Sequence, residues 1–231
     1  MASVAFLPAR LARRALDLIY PPRAVCAACG RKSGCPEDHL CAECRALLDA
    51  DAPRLEMNPF HSRLSGRVSA HGYRGPAGVI VQRMKYDRLR ALAPIMARDM
   101  IAALRTPGPD GAPRLPLSFD CVLSVPMHPL RRYLRGMNHA ELLAREVARE
   151  LDLPWLDALR RVRNTKQQAR LSGEARRQNL IGAFRAERTV SGRSVLLVDD
   201  VLTTGSTAEN CAEALLKAGA TRVFLLTYAQ A

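Results

Sequence analysis

Apolar and polar positions along this chain follow two periods in turn. Val195–Val198 is an unbroken apolar run, the pattern of a strand buried on both faces. Directly after it, Ala208, Cys211, Leu215 and Leu216 recur at helical spacing and predict a helix with one buried face. Asp120–Val125 reads as a second buried strand, followed by a helix over Ala140–Leu151 with Asn138 at its N-cap. Val79–Tyr86 and Ala91–Leu104 read as two helices broken around Asp87, while His71–Arg74 and Leu159–Val162 read as strands. A short helix at Arg45–Leu48 leads into a connector holding Pro53, Pro59 and Gly66. This alternation predicts an α/β domain over residues 70–231, a mainly parallel sheet flanked by helices. Near the start, Phe6, Leu7, Leu11, Ala15, Leu18 and Ile19 fit one face of an amphipathic helix within residues 1–24.

The cysteines add a second module. Five of seven fall between Cys26 and Cys44, and Cys26–Cys29 and Cys41–Cys44 form two CxxC knuckles. Four thiolates in two such pairs suit a closed, structural zinc site, so residues 25–50 read as a zinc ribbon. A segment this small buries little core, and metal would supply its folding energy. Disulfides are the rival reading. They are disfavoured because arginines interrupt the apolar start, which does not read as an export signal, and the expected location is cytoplasmic. Cys35 is left over, and His39 is an alternative ligand. The 231 residues carry a net charge of +13, nearly all from arginine, which suits polyanionic partners: a sugar phosphate or nucleic acid. Aromatic residues make up only 5%, which argues against extensive base-stacking platforms. No window is apolar enough to span a membrane.

The chemistry concentrates where the first strand meets its helix. Asp199 and Asp200 are followed by Thr203, Thr204, Gly205, Ser206 and Thr207 at the start of the helix. Free backbone N–H groups and the helix dipole make such a place an anion cradle. Hydroxyls donate to phosphate oxygens, and ionised carboxylates accept from sugar hydroxyls. A sugar phosphate answers both halves of the motif. Around Pro126–Met127–His128, the end of the other strand leads into Arg131, Arg132 and Arg135, whose guanidinium forks suit a second phosphate site. Arg163–Gln178 is polar and is followed by the apolar Leu180–Phe184, and Lys166, Gln168, Arg176 and Asn179 are either candidate ligand contacts or part of a surface loop and solvated helix.

Val195–Thr207 resembles the phosphoribosyl-diphosphate (PRPP) signature of type I phosphoribosyltransferases. VPMHPLRRYLRGMNHAELLA (residues 125–144), Leu18–Pro22, Lys85–Tyr86 and residues 163–184 resemble the ComF family more narrowly. Met137 replaces the usual aromatic and His139 the usual glutamine of that pattern. The resemblance implies a type I phosphoribosyltransferase-like fold and a PRPP site formed by Asp199, Asp200, Val201, Leu202, Thr203, Thr204, Gly205, Ser206 and Thr207. Asp199 and Asp200 would hold the ribose hydroxyls and act as the catalytic pair. Lys85, Pro126, Met127, His128, Arg131 and Arg135 would face the diphosphate, with magnesium accompanying PRPP. It also implies a role in natural competence (DNA uptake) or nucleotide metabolism. A non-catalytic protein that binds single-stranded DNA, or an adaptor for a competence helicase, are the alternative readings. No residue names an acceptor nucleophile.

Overall fold

The computed structural model describes residues 25–31, 39–87, 89–107, 118–127, 137–162 and 182–231. The expected N-terminal helix, Cys35, His128, the arginines at 131, 132 and 135, and the candidate contacts Lys166, Gln168, Arg176 and Asn179 lie outside these residues.

Helix α1 (Ala42–Asp49) follows the second cysteine knuckle. Strands β1 (Arg54–Met57) and β2 (Gly66–Gly72) come next, then α2 (Gly75–Tyr86) and α3 (Ala93–Arg105). The remainder is β3 (Cys121–Ser124), α4 (His139–Glu150), β4 (Leu159–Arg161), β5 (Phe184–Ala186), β6 (Ser194–Leu202), α5 (Ser206–Lys217) and β7 (Arg222–Gln230). Five strands form one sheet in the order β1-β2-β7-β6-β3, and β4 pairs with β5 in a separate ribbon. Within the large sheet, β2, β7, β6 and β3 are parallel, and β1 is antiparallel to β2. This is the mainly parallel α/β sheet that the alternating pattern predicts.

Successive residues of the central strands serve opposite faces, which is why their runs are apolar throughout. Leu196 and Val198 of β6, with Phe224, Leu226 and Tyr228 of β7, share a core with α2, α3 and α4. Val195 and Leu197, with Val223 and Leu225, face Cys211, Ala212 and Leu215 of α5. Cys26, Leu40, Cys44 and Leu48 of the cysteine module belong to the first of these cores. The module therefore rests on the sheet domain's own apolar interior rather than on a separate small one.

Several segments differ from the sequence expectations. Residues 54–57 and 66–72, read as connector or its flank, form two strands, and β7 is a strand that the reading did not include. The helices run α2 from Gly75 and α3 from Ala93, with Asp87 capping the first. Asn138 does occupy the N-cap of α4, but its side chain makes no cap bond. Its Nδ2 instead donates to the carbonyl of Val125 at 3.2 Å, tying the helix start to the end of β3. No helix among the described residues is long and apolar enough to cross a membrane.

Candidate functional site

The acid pair sits within β6, not in a turn after it. Pairing with the nine-residue β7 carries the strand onward through Asp199↔Thr227 and Val201↔Ala229 to Leu202. Neither acid is sunk in the core: both are half-buried at the carboxyl end of the sheet. The loop that follows is open. Thr203 and Thr204 are exposed, Gly205 and Thr207 are half-buried, and only Ser206 is buried. Gly205 is the N-cap of α5 with φ 75°, a left-handed conformation that glycine adopts without strain. Gly205 has no side chain with which to cap this helix, and the Ser206 amide donates to Thr204 Oγ1 at a long 3.5 Å. Thr204 Oγ1 and Ser206 Oγ lie 3.0 Å apart across the turn. A cavity of about 30 Å³ between acid pair and loop is lined by Asp199, Thr203, Gly205, Thr207 and Thr227.

The end of β3 reaches the same edge. Ser124 pairs with Val198, and the Val125 amide donates to the Val198 carbonyl at 2.9 Å. Pro126 and Met127 thus leave the sheet at the level of Asp199 and Asp200. From the last turn of α2, Lys85 places Nζ 3.0 Å from Asp200 Oδ1, with both side chains largely buried. The expected contributions of Lys85, Pro126, Met127 and residues 199–207 therefore converge on one edge of the sheet.

Charge at the pair is unevenly shared. Burial, and then the neighbouring Asp200 charge, push the Asp199 carboxyl up to about 8. The Asp200 amide, which donates to Asp199 Oδ1 at 2.9 Å, and Lys85 pull only weakly the other way. The pair is thus unequal: burial and the Asp200 charge favour the protonated form of Asp199, while Asp200 faces the Lys85 ammonium. Among the described residues, no third His, Cys, Asp or Glu joins this pair to complete a metal-ligand group. Magnesium at phosphate sites is usually held by one or two carboxylates together with phosphate oxygens and water, a donor set to which this pair could contribute.

The four cysteines form a different kind of site. The sulfur atoms of Cys26, Cys29, Cys41 and Cys44 all lie within 4.8 Å of one another, and the Cys29 and Cys41 sulfurs are 3.7 Å apart. Tetrahedral zinc with Zn–S bonds of about 2.3 Å sets its sulfurs about 3.8 Å apart, whereas a disulfide needs about 2.05 Å. All four thiols are free. Burial raises the Cys26 thiol, but backbone N–H groups of Cys29, Cys41 and Ala28 outweigh it and bring it down to about 6. Burial and hydrogen bonds to the other three cysteines push Cys44 up. The donor set, its spacing and its partial thiolate character fit structural zinc. His39 stands next to the cluster in sequence but is not part of it.

Two features escaped the sequence reading. A buried polar bridge joins the cysteine module to the sheet: Arg45 Nη1 lies 2.9 Å from Asp99 Oδ1, and Asp99 Oδ2 lies 3.2 Å from His71 Nε2. Its partners are 54 and 28 residues apart, and no local pattern links them. The second is a cavity beside the hydroxyl loop, lined by Phe60, Arg63, Arg67, Thr204, Ser206 and Asn210 among others. The β1–β2 loop forms one wall, held by Ser62 Oγ and the Arg63 amide donating to Glu209 of α5.

The fold and this edge define a phosphoribosyl transferase-type α/β domain carrying a four-cysteine module at its N-terminal side. The sequence model of the phosphoribosyl transferase domain matches residues 137–230. The chain is 34% identical over 217 residues to the DNA utilization protein YhgH of Escherichia coli O157:H7, covering 86% of this chain and 87% of that one. It is 34% identical over 202 residues to competence protein F of Haemophilus influenzae, covering 82% and 86%. It is 24% identical over 212 residues to competence protein ComFC of Bacillus subtilis, covering 89% and 83%. The chain belongs to the ComF family of competence-type proteins. Among solved structures, it is similar to the allosteric regulatory enzyme of purine biosynthesis, at 21% identity and a TM-score of 0.38. That match covers 60% of this chain and 24% of the enzyme.

Proposed function

We propose that this chain binds PRPP or a closely related sugar phosphate at the edge formed by residues 199–207, and serves in the handling of incoming DNA or in nucleotide metabolism. The observation that carries the proposal is the solvent-open, glycine-started N-terminus of α5, where the Ser206 amide has only a long contact to Thr204, set directly against a half-buried acid pair. The loop at Thr203–Thr207 takes the 5′-phosphate on backbone N–H groups and hydroxyls. Asp200, and Asp199 through its remaining acceptor capacity, hold the ribose hydroxyls. Pro126–Met127 and Lys85 border the place where the diphosphate extends. If the chain is a phosphoribosyltransferase, the chemistry is displacement of diphosphate from ribose C1, and the contribution of these residues is positioning and charge stabilisation. The names of the relatives, DNA utilization protein and competence protein F, support the assignment to DNA handling. Zinc in the four-cysteine module is structural in this reading, because four sulfurs leave no open position.

Calorimetric titration with PRPP and magnesium tests the site. The wild-type chain is expected to bind, and the double variant Asp199→Ala/Asp200→Ala to weaken binding by at least about tenfold, or roughly 1.4 kcal/mol. Equal affinities would remove the acids from the site.

A second reading, single-stranded DNA binding without turnover, rests on a separate observation. Phe60 is 89% exposed, its ring centroid 4.0 Å from that of His61, in the wall of the cavity that reaches Thr204 and Ser206. Exposed aromatics beside a phosphate site suit base stacking. The check is a salt titration of oligonucleotide binding. A phosphate-driven interaction weakens steeply with salt, and Phe60→Ala removes about 1–3 kcal/mol of it. A flat salt response would set this reading aside.

A further inference from the structure

The loop at 203–207 is a wall between two cavities. Thr203, Gly205 and Thr207 line the small one, on the side of Asp199. Thr204 and Ser206 line the other, which holds about 500 Å³, within the range of about 300–1,000 Å³ usual for ligand sites. A phosphate seated in the loop has its own sugar on the acid side and open space on the other. PRPP ends in a 5′-phosphate and leaves that space empty.

The larger cavity carries the groups that a neighbouring nucleotide needs. Its wall, the β1–β2 loop, is tied to α5 by Ser62 Oγ and the Arg63 amide, which donate to Glu209. Phe60 stands in this wall with 89% of its surface exposed. Arg67 reaches the phosphate loop from the same side: its Nη1 lies 3.9 Å from the place that a Cβ on Gly205 would take. Glu56 accepts from Nε and Nη2 of Arg67 and holds the guanidinium there. A cation at the phosphate and an aromatic face in the wall suit a linking phosphodiester and a stacked base.

The acid pair sets the other end of the ligand. A hydroxyl both donates and accepts. It can donate to Asp200 and accept from Asp199, whose protonated form burial favours. A phosphate only accepts, and the nearest ammonium, Lys85 Nζ, is already engaged with Asp200 Oδ1 at 3.0 Å. A phosphodiester on the 3′-oxygen of the bound sugar would set its charge against Asp200. Every nucleotide inside a strand carries such a diester. The last one carries a free 3′-hydroxyl.

We infer that this edge takes the 3′ end of a single strand of nucleic acid, with the terminal sugar on Asp199 and Asp200, its 5′-phosphodiester in the loop, and the preceding nucleotide in the cavity of Phe60 and Arg67. The inference rests on the sugar-phosphate reading of residues 199–207 and goes beyond it in naming a polarity and a second nucleotide subsite. PRPP and the strand end then occupy the same loop and exclude each other. The step is binding alone, and no bond is made or broken.

The experiment follows binding of a 5′-labelled single-stranded deoxyoligonucleotide of about ten nucleotides to the full chain by fluorescence anisotropy at constant salt. One probe ends in a 3′-hydroxyl and the other in a 3′-phosphate. The hydroxyl end is expected to bind at least about tenfold more tightly. PRPP with magnesium is expected to displace it. Phe60→Ala is expected to weaken oligonucleotide binding by about fivefold or more. The same variant is titrated with PRPP by calorimetry, and an affinity within about twofold of wild type shows that the loop is intact. Equal affinity for the two probes would overturn the inference, and so would a bound strand that PRPP does not displace or a Phe60→Ala variant that binds as wild type does. Wild-type protein that binds PRPP but neither probe would overturn it too, leaving the sugar-phosphate site standing. Wild-type protein that does not bind PRPP would overturn the sugar-phosphate reading and this inference together.

Discussion

Asp199 shows at the scale of one residue how a binding group burdens the fold. Its carboxyl is held up to about 8 by burial and by Asp200, well above the usual range for an aspartate. A folded-state value above the unfolded one means the folded protein holds the proton more tightly. That advantage is complete below about pH 4 and drains away as pH rises through about 8. Asp199→Asn cannot ionise, and its side-chain oxygen can still accept from the Asp200 amide. It is therefore expected to stabilise the protein increasingly between about pH 5 and pH 9, by at least about 1 kcal/mol at the alkaline end. Thermal melts across that range check this, and a stabilisation that shrinks with pH would contradict it. Gly205 makes the complementary case. At φ 75°, an added Cβ would meet nothing closer than Leu202 Cδ1 at 3.6 Å, so space is not the obstacle. Gly205→Ala is expected to cost about 1–2 kcal/mol of stability through backbone conformation alone, measured by denaturant unfolding.

Among the elements, a buried polar bridge ties α1 to α3 and β2. Arg45 is the residue after Cys44, and it reaches Asp99, which is itself 9% exposed and bonded to His71. Removing one partner of a buried ion pair strands the other. Asp99→Ala is expected to destabilise by about 3 kcal/mol, and the double variant with Arg45→Met by clearly less than the sum of the two single changes. Denaturant unfolding of the three variants checks the coupling. The same elements show what a sequence reading can reach. The core of β6 was legible because a strand buried on both faces is apolar throughout, and α5 because its face repeats at Ala208, Cys211 and Leu215. The end of β6 was not, because two acids look like a turn until the length of β7 is known. The four residues of β1 hid for another reason: Arg54 and Glu56 are charged, as an edge strand permits. The cysteine spacing announced its cluster. The convergence of Lys85 with Asp200 needed tertiary structure, since 115 positions separate helix from strand and only the ComF resemblance had put them in one site.

For the molecule as a whole, the shared core changes what metal loss should do. Cys26, Leu40, Cys44 and Leu48 belong to the same buried cluster as Phe224, Leu226 and Tyr228, so the cysteine module and the sheet domain share one core. Stripping zinc is expected to lower the melting temperature of the entire protein by several degrees, for a loss of about 2 kcal/mol or more. The transition should remain single. Two separate transitions after chelation, one at the unshifted temperature, would show that the module folds on its own.

The shared core also orders events during synthesis. The cysteine knuckles leave the ribosome before β7, the last of the described strands, whose Phe224 and Tyr228 belong to the same buried cluster. The β2–β7 pairing must likewise wait for residues about 150 positions downstream. A nascent chain thus exposes four thiols before the core they share is complete. Metal captured then would guard those sulfurs from oxidation and mispairing until the last strand closes the sheet.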